Sequence, residues 1–135
     1  MPLINWTNDF SVNVAEIDQQ HKKLVGMINE LHDAMRAGKG KDIIGSIINN
    51  LIDYARVHFG TEEKYFAQFG YPETEVHKME HAGFIKKTLD FNNGFKQGKI
   101  GLTIEVMNFL SDWLKNHILK TDKRYSKFFN DHGLK

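Results

Sequence analysis

The chain is predicted to be all-α, an up-and-down antiparallel four-helix bundle preceded by an N-terminal arm. Three observations predict it. Apolar residues recur at spacings of three and four in four separate stretches, glycine-containing breaks divide those stretches, and strand-like alternation is weak throughout. The 135 residues are 41% hydrophobic and 26% charged, so one domain can bury roughly two-thirds of its unfolded surface. Helices of similar length joined by short connections pack as antiparallel neighbours.

Residues 1–14 show no helical period and are read as the arm, with residues 15–135 as a single bundle domain. The first stripe runs Ile17, His21, Leu24, Ile28, Leu31 and Met35 and ends before Gly38-Lys39-Gly40. A second runs Ile44, Ile48, Leu51, Ala55, His58, Glu62 and Phe66 and stops at Gly70-Tyr71-Pro72. Pro72 suits the first turn of a third helix, where its missing N–H costs nothing. That helix carries His77, His81, Phe84, Thr88 and Phe91 and is expected to fade at Asn92-Asn93-Gly94. The fourth carries Thr103, Val106 or Met107, Leu110, Leu114 and His117, and peters out in Lys127-Phe128-Phe129-Asn130.

Composition narrows the chemistry. A net charge of +1 is too balanced for a nucleic-acid binder. Cysteine is absent, which removes disulfides, thiolate ligands and thiol catalysis. Any metal site must use nitrogen and oxygen donors, a set that suits iron, zinc, manganese or copper. No apolar run approaches the length of a membrane span, and Met1-Pro2-Leu3-Ile4-Asn5-Trp6 has no charged leader followed by an apolar stretch. A cytoplasmic location is the expectation. The basic stretch Lys115, Lys120, Lys123, Arg124 and Lys127 reads as a solvated helix face.

Five of the seven histidines fall on or beside core-facing stripes. A buried imidazole is costly unless its nitrogens are satisfied, and five such placements call for a common partner. Residues four apart on a helix differ by about 40° around the axis, so His58 and Glu62 can reach one point, as can His77 and His81. His21 and His117 face the same interior from the first and fourth helices. Asp122, five beyond His117, sits about 140° round an ideal helix; as a ligand it requires the fourth helix to be distorted or ending there. Seven donors exceed what one zinc ion takes and suit two ions sharing carboxylates. His32, three turns from His21, reads as structural and His132 as solvated. Glu63, Asp18 and Glu80 are either supports for the histidines or surface charges. The segment His77-Lys78-Met79-Glu80-His81 also fits the H-x-x-E-H zinc-peptidase pattern, with Glu80 as general base, although that leaves the other donors unexplained.

The run from His58 to His81, including Glu62-Glu63 and Tyr71-Pro72, closely resembles hemerythrin. So do Trp6, Ile17-Asp18-Gln19-Gln20-His21, and Trp113-Leu114-Lys115-Asn116-His117 through Asp122. The resemblance implies a non-haem di-iron site that binds dioxygen reversibly, a carrier or storage function rather than an enzyme. By the same resemblance His77, His81 and His117 hold one iron. His21 and His58 hold the other and leave it an open position. Glu62 and Asp122 bridge the ions beside a solvent-derived oxo or hydroxo bridge, and Leu24, Phe59, Trp113, Leu114 and Ile118 line the oxygen pocket. An oxygen or redox sensor domain with an attached signalling partner is an alternative within the same fold, and a di-iron oxidase or peroxidase is another. Two positions depart from the family pattern. Gly60 lies mid-helix between presumed ligands, either to make space or as a tolerated glycine, and Asn13 stands where the family often has glycine.

Overall fold

A computed structural model describes residues 3–135. Four antiparallel rods form the bundle: α1 (Ala15–Arg36), α2 (Gly40–Phe69), α3 (Thr74–Lys96), and a fourth rod that begins as α4 (Leu102–Trp113). The fourth rod continues as a π-helix over Leu114–Thr121, tightens to a 3-10 turn over Asp122–Tyr125 and ends in the short α5 (Ser126–Asp131). Among the described residues no helix is long and apolar enough to cross a membrane.

The inward stripes form two apolar layers with the histidines between them. The larger contains Leu24, Ile28, Leu51, Ala55, Phe59, Phe84, Leu110, Leu114 and Ile118. The smaller gathers Val12, Val14, Ile17, Phe66, Tyr71, Tyr125 and Phe129 at the end of the bundle where α2 turns into α3. His21 lies between Ile17 and Leu24 along α1, and His58 and Glu62 lie between Ala55 and Phe66 along α2. Apolar side chains therefore close the polar cluster from above and below, which excludes water from it.

The breaks act as backbone devices. Gly70 adopts φ 70°, the left-handed conformation that glycine reaches without a Cβ penalty, and the N–H groups of Gly70 and Tyr71 both reach the Phe66 carbonyl, at 2.9 and 3.0 Å. Two boundaries differ from the sequence expectation. Pro72 lies ahead of α3, in a turn closed when the Thr74 hydroxyl and N–H both donate to the Tyr71 carbonyl. The third helix runs through Gly94 to Lys96, because Gly94 is buried and packs against Lys99 and Leu102 rather than stopping the helix.

The arm is strapped to the bundle. Asn29 pairs with the backbone of Ile4 in both directions at 2.8 Å. Asp18 accepts from the Val12 N–H and the Ser11 hydroxyl, while Ser126 and Asn130 donate to the Val12 and Asn13 carbonyls. Asn13 itself has φ 58°. It replaces glycine at a left-handed position, which asparagine tolerates better than most residues.

Candidate metal centre

Each of the four rods contributes donors to one buried layer. His21, His58, Glu62, His77, His81, His117 and Asp122 are all at most 2% exposed. The π-helix resolves the placement of Asp122. Its i→i+5 bonding widens the turn, and five-residue spacing then places Asp122 on the inward face beside His117 rather than around the rod. The distortion that the sequence demanded for this pair is present at this point of the chain.

The donors converge on the two carboxylates. Asp122 Oδ1 lies 2.9 Å from both His77 Nε2 and His117 Nε2, and its Oδ2 lies 2.9 Å from His21 Nε2. Glu62 Oε1 lies 2.9 Å from His81 Nε2, 3.3 Å from His58 Nε2 and 3.7 Å from His77 Nε2. Two groups have donor atoms within 4.8 Å of one another: Glu62, His77, His81 and His117, and His21, His58, Glu62 and Asp122.

Protein hydrogen bonds do not account for this arrangement. The five Nε2 atoms, Glu62 Oε1 and both Asp122 oxygens are buried without an aligned hydrogen-bond partner, despite their short separations. Meanwhile three of the rings have an acceptor at Nδ1: Gln20 Oε1 at 2.6 Å for His58, Glu63 at 3.0 Å for His81 and Glu80 at 3.1 Å for His117. Donation from Nδ1–H leaves a lone pair on Nε2, aimed into the cluster. Donors about 2.1 Å from one ion and at right angles stand about 3 Å apart, which is the separation found here. The donor set fits a pair of metal ions.

Without metal, the centre stores charge. Burial lowers His58 to about 4, only partly opposed by Glu62. Burial also works against His77, but close contact with Asp122 and Glu62 outweighs it and pushes that imidazole up to about 10. His117 is raised too, burial again losing to Asp122. Both carboxylates are held well below their usual range: burial disfavours their charge, and the surrounding imidazoles win.

The supporting residues separate into those that touch the centre and those that do not. Glu63 and Glu80 accept from the His81 and His117 rings, whereas Asp18 fastens the arm. Glu80 also accepts from Thr121 Oγ1 at 3.1 Å. It thus sits on the Nδ1 side of His117, behind the cluster, and the peptidase reading loses its base. Gln20, Tyr54 and Tyr125 escaped the sequence reading. Gln20 is fixed by Thr61 as well as His58, and the buried Tyr125 hydroxyl donates to Glu62 Oε2. No spacing rule on one helix reveals the partners of Gln20 and Tyr125, which lie across helices.

Of the expected pocket residues, Leu24, Leu114 and Ile118 belong to the larger apolar layer. Phe59 stacks on His81 with ring centroids 3.8 Å apart, and Trp113 stacks on His117 at 3.9 Å. Gly60 is exposed, and a Cβ built there meets nothing within 4 Å. It makes no space beside the centre. His32 is half-buried, and His132 is exposed with Nδ1 2.7 Å from the Phe128 carbonyl.

Comparison with known proteins agrees with this geometry. The family model described as the hemerythrin HHE cation binding domain matches residues 12–129. The bacteriohemerythrin of Methylococcus capsulatus is 37% identical over 126 residues, covering 93% of this chain and 95% of that protein. That of Pseudomonas aeruginosa strain LESB58 is 38% identical over 120 residues, covering 89% of this chain and 77% of the relative. A wild-type hemerythrin crystal structure superposes with TM-score 0.82 at 36% identity, covering 93% of this chain and 96% of that one. A cation-binding family model that spans nearly all the described residues thus meets a donor layer built for metal, and the chain belongs to the hemerythrin family.

Proposed function

We propose that this protein binds dioxygen reversibly at a pair of non-haem iron ions, as a carrier or store in the cytoplasm and not as an enzyme. One observation carries the reading: five buried Nε2 atoms without aligned hydrogen bonds converge on two carboxylates, from all four rods. His77, His81 and His117 would hold one iron, and His21 and His58 the other. Glu62 and Asp122 would lie between them with a solvent-derived oxo or hydroxo bridge. When bound, the ferrous pair supplies two electrons and, at the end with fewer imidazoles, a free position for dioxygen.

The chain's own residues supply the rest. Gln20, Glu63 and Glu80 fix the tautomers of His58, His81 and His117 and raise their basicity as ligands. Tyr125 holds the outer oxygen of Glu62, which orients the inner one. Leu24, Phe59, Trp113, Leu114 and Ile118 keep the layer above the centre apolar. A dry pocket penalises charge separation and withholds the protons and water that would make oxygen binding irreversible.

Iron analysis combined with optical spectra during cycling between argon and air tests the reading. Two irons per chain and a reversible colour change support it, whereas one zinc per chain, or bleaching with peroxide release, overturns it. Bleaching would favour the oxidase reading. A sensor reading draws on the arm, which is fastened to the rod carrying His117 and Asp122 through Ser126 and Asn130. Ligand-dependent hydrogen exchange in residues 4–14 would mark that role.

A further inference from the structure

Four tyrosines occur in the chain, and three give their hydroxyl to a glutamate. Tyr65 donates to Glu16, Tyr71 to Glu73 and Tyr125 to Glu62. Tyr54 is the exception. It is 3% exposed, and its buried hydroxyl has no hydrogen-bond partner among the described residues.

Its position explains why that matters. Tyr54 lies one turn before His58 on α2, and the two rings stack with centroids 5.1 Å apart and planes 21° apart. Phe59 and Phe84 flank it at 6.4 and 6.3 Å, so it belongs to the layer that closes the centre from above. Phe59 and Trp113 stack on His81 and His117, at the end richer in imidazoles, whereas Tyr54 stacks on His58, at the end with two. Burial first, then the charges of Asp122 and Glu62, raise its pKa well above 10, so the phenol remains an O–H donor. Phenylalanine would fill the same space without burying an unpaired hydroxyl, a group that destabilises the fold unless something accepts from it.

We infer that the Tyr54 hydroxyl donates a hydrogen bond to the small acceptor ligand, dioxygen or a compact anion, that binds at the His21/His58 end of the centre. The inference rests on the di-iron reading and adds to it a polar, specificity-determining contact in an otherwise apolar pocket. The donor stabilises a ligand that gains negative charge on binding more than a neutral, weakly accepting one. The competing explanation is a water molecule, because Tyr54 also lines a surface cavity of about 280 Å³ with Gln20, Lys23, Asp53 and His58.

Tyr54→Phe in the iron-loaded protein separates these explanations. Both proteins should load two irons. Dioxygen should dissociate from the variant roughly tenfold faster, the weight of one hydrogen bond. The antisymmetric stretch of azide bound to the oxidised protein should shift between the two. The metal-free variant, relieved of an unpaired group, should melt no lower than the parent. Unchanged dissociation and an unchanged azide band overturn the inference and leave the di-iron reading standing. A lower melting temperature with unchanged ligand kinetics also overturns it, since the partner is then a structural water. Failure of the parent to load two irons overturns both.

Discussion

Glu62 has its two oxygens in different surroundings: Oε2 accepts from Tyr125, while Oε1 faces the Nε2 atoms of His58, His77 and His81. Removing that carboxylate leaves buried imidazoles and cations without their shared counter-charge. Glu62→Ala, like His117→Ala, is therefore expected to abolish stable binding of two irons; a retained stoichiometry of two in metal analysis would refute that residue's assignment. At Leu114, 4% exposed in the apolar layer, an aspartate would bring both water and a proton. Leu114→Asp should shorten the lifetime of the oxygenated state several-fold, and an unchanged autoxidation rate would remove Leu114 from the pocket. Gly60 is a control on the opposite face. Its Cβ position is open, so Gly60→Ala should stabilise the fold by roughly 1 kcal/mol through helix propensity alone, read as a higher melting temperature with iron content unchanged. Six of the seven central donors were legible in the sequence because each stands at helical spacing from core residues, whereas Asp122 joins them only through the distortion of the fourth rod. Gln20 and Tyr125 were not, because their partners lie across a helix interface whose register the sequence does not print. Glu63, Glu80 and Asp18 looked alike as acidic neighbours, and only the packing separates two ring acceptors from an arm fastener.

Among the elements, the fourth rod departs most from ideal geometry, and its departure coincides with the His117–Asp122 pair. The sequence shows that an α-helix cannot present both residues to one point, but not which irregularity the chain adopts. The structure answers with eight π-helical residues, Leu114–Thr121, followed by a 3-10 turn. Such stretches bond less well than an α-helix and mark functional sites. Inside this rod the cost is offset where Asp122 meets three imidazoles. Metal would tighten that anchor, and its removal should release the segment first. Amide exchange is thus expected to show residues 114–125 losing protection on iron removal before α1, α2 and α3 do; a uniform loss across the four rods would separate the π-helix from the centre. The third helix teaches the converse lesson. Asn92-Asn93-Gly94 reads as a stop, yet Gly94 is inward and close-packed, so tertiary packing overrides a local breaking signal.

For the molecule as a whole, the centre couples protonation, metal and stability. In the metal-free protein His58 is lowered to about 4, so between that value and the ordinary 6.5 the unfolded chain binds the proton that the folded one refuses. Stability must then fall as the pH drops through this window, by on the order of 3 kcal/mol for this group. Glu62 and Asp122, depressed further, extend the acid loss below it. His77 runs the other way. Raised to about 10, its contribution is full below 6.5 and disappears as the pH rises through 10. Opposite signs on the two sides give the metal-free protein its greatest stability near pH 6.5. Iron needs the Nε2 lone pairs, so loading at pH 7 must displace the proton that His77 holds. Calorimetric loading in buffers of different ionisation enthalpy should therefore register proton release, and the loaded protein should keep its stability up to higher pH than the metal-free one. Loading without proton release, or a metal-free stability curve that still climbs between pH 6.5 and 9, would mean that the His77 imidazole is not a proton-bearing neighbour of Asp122 in solution.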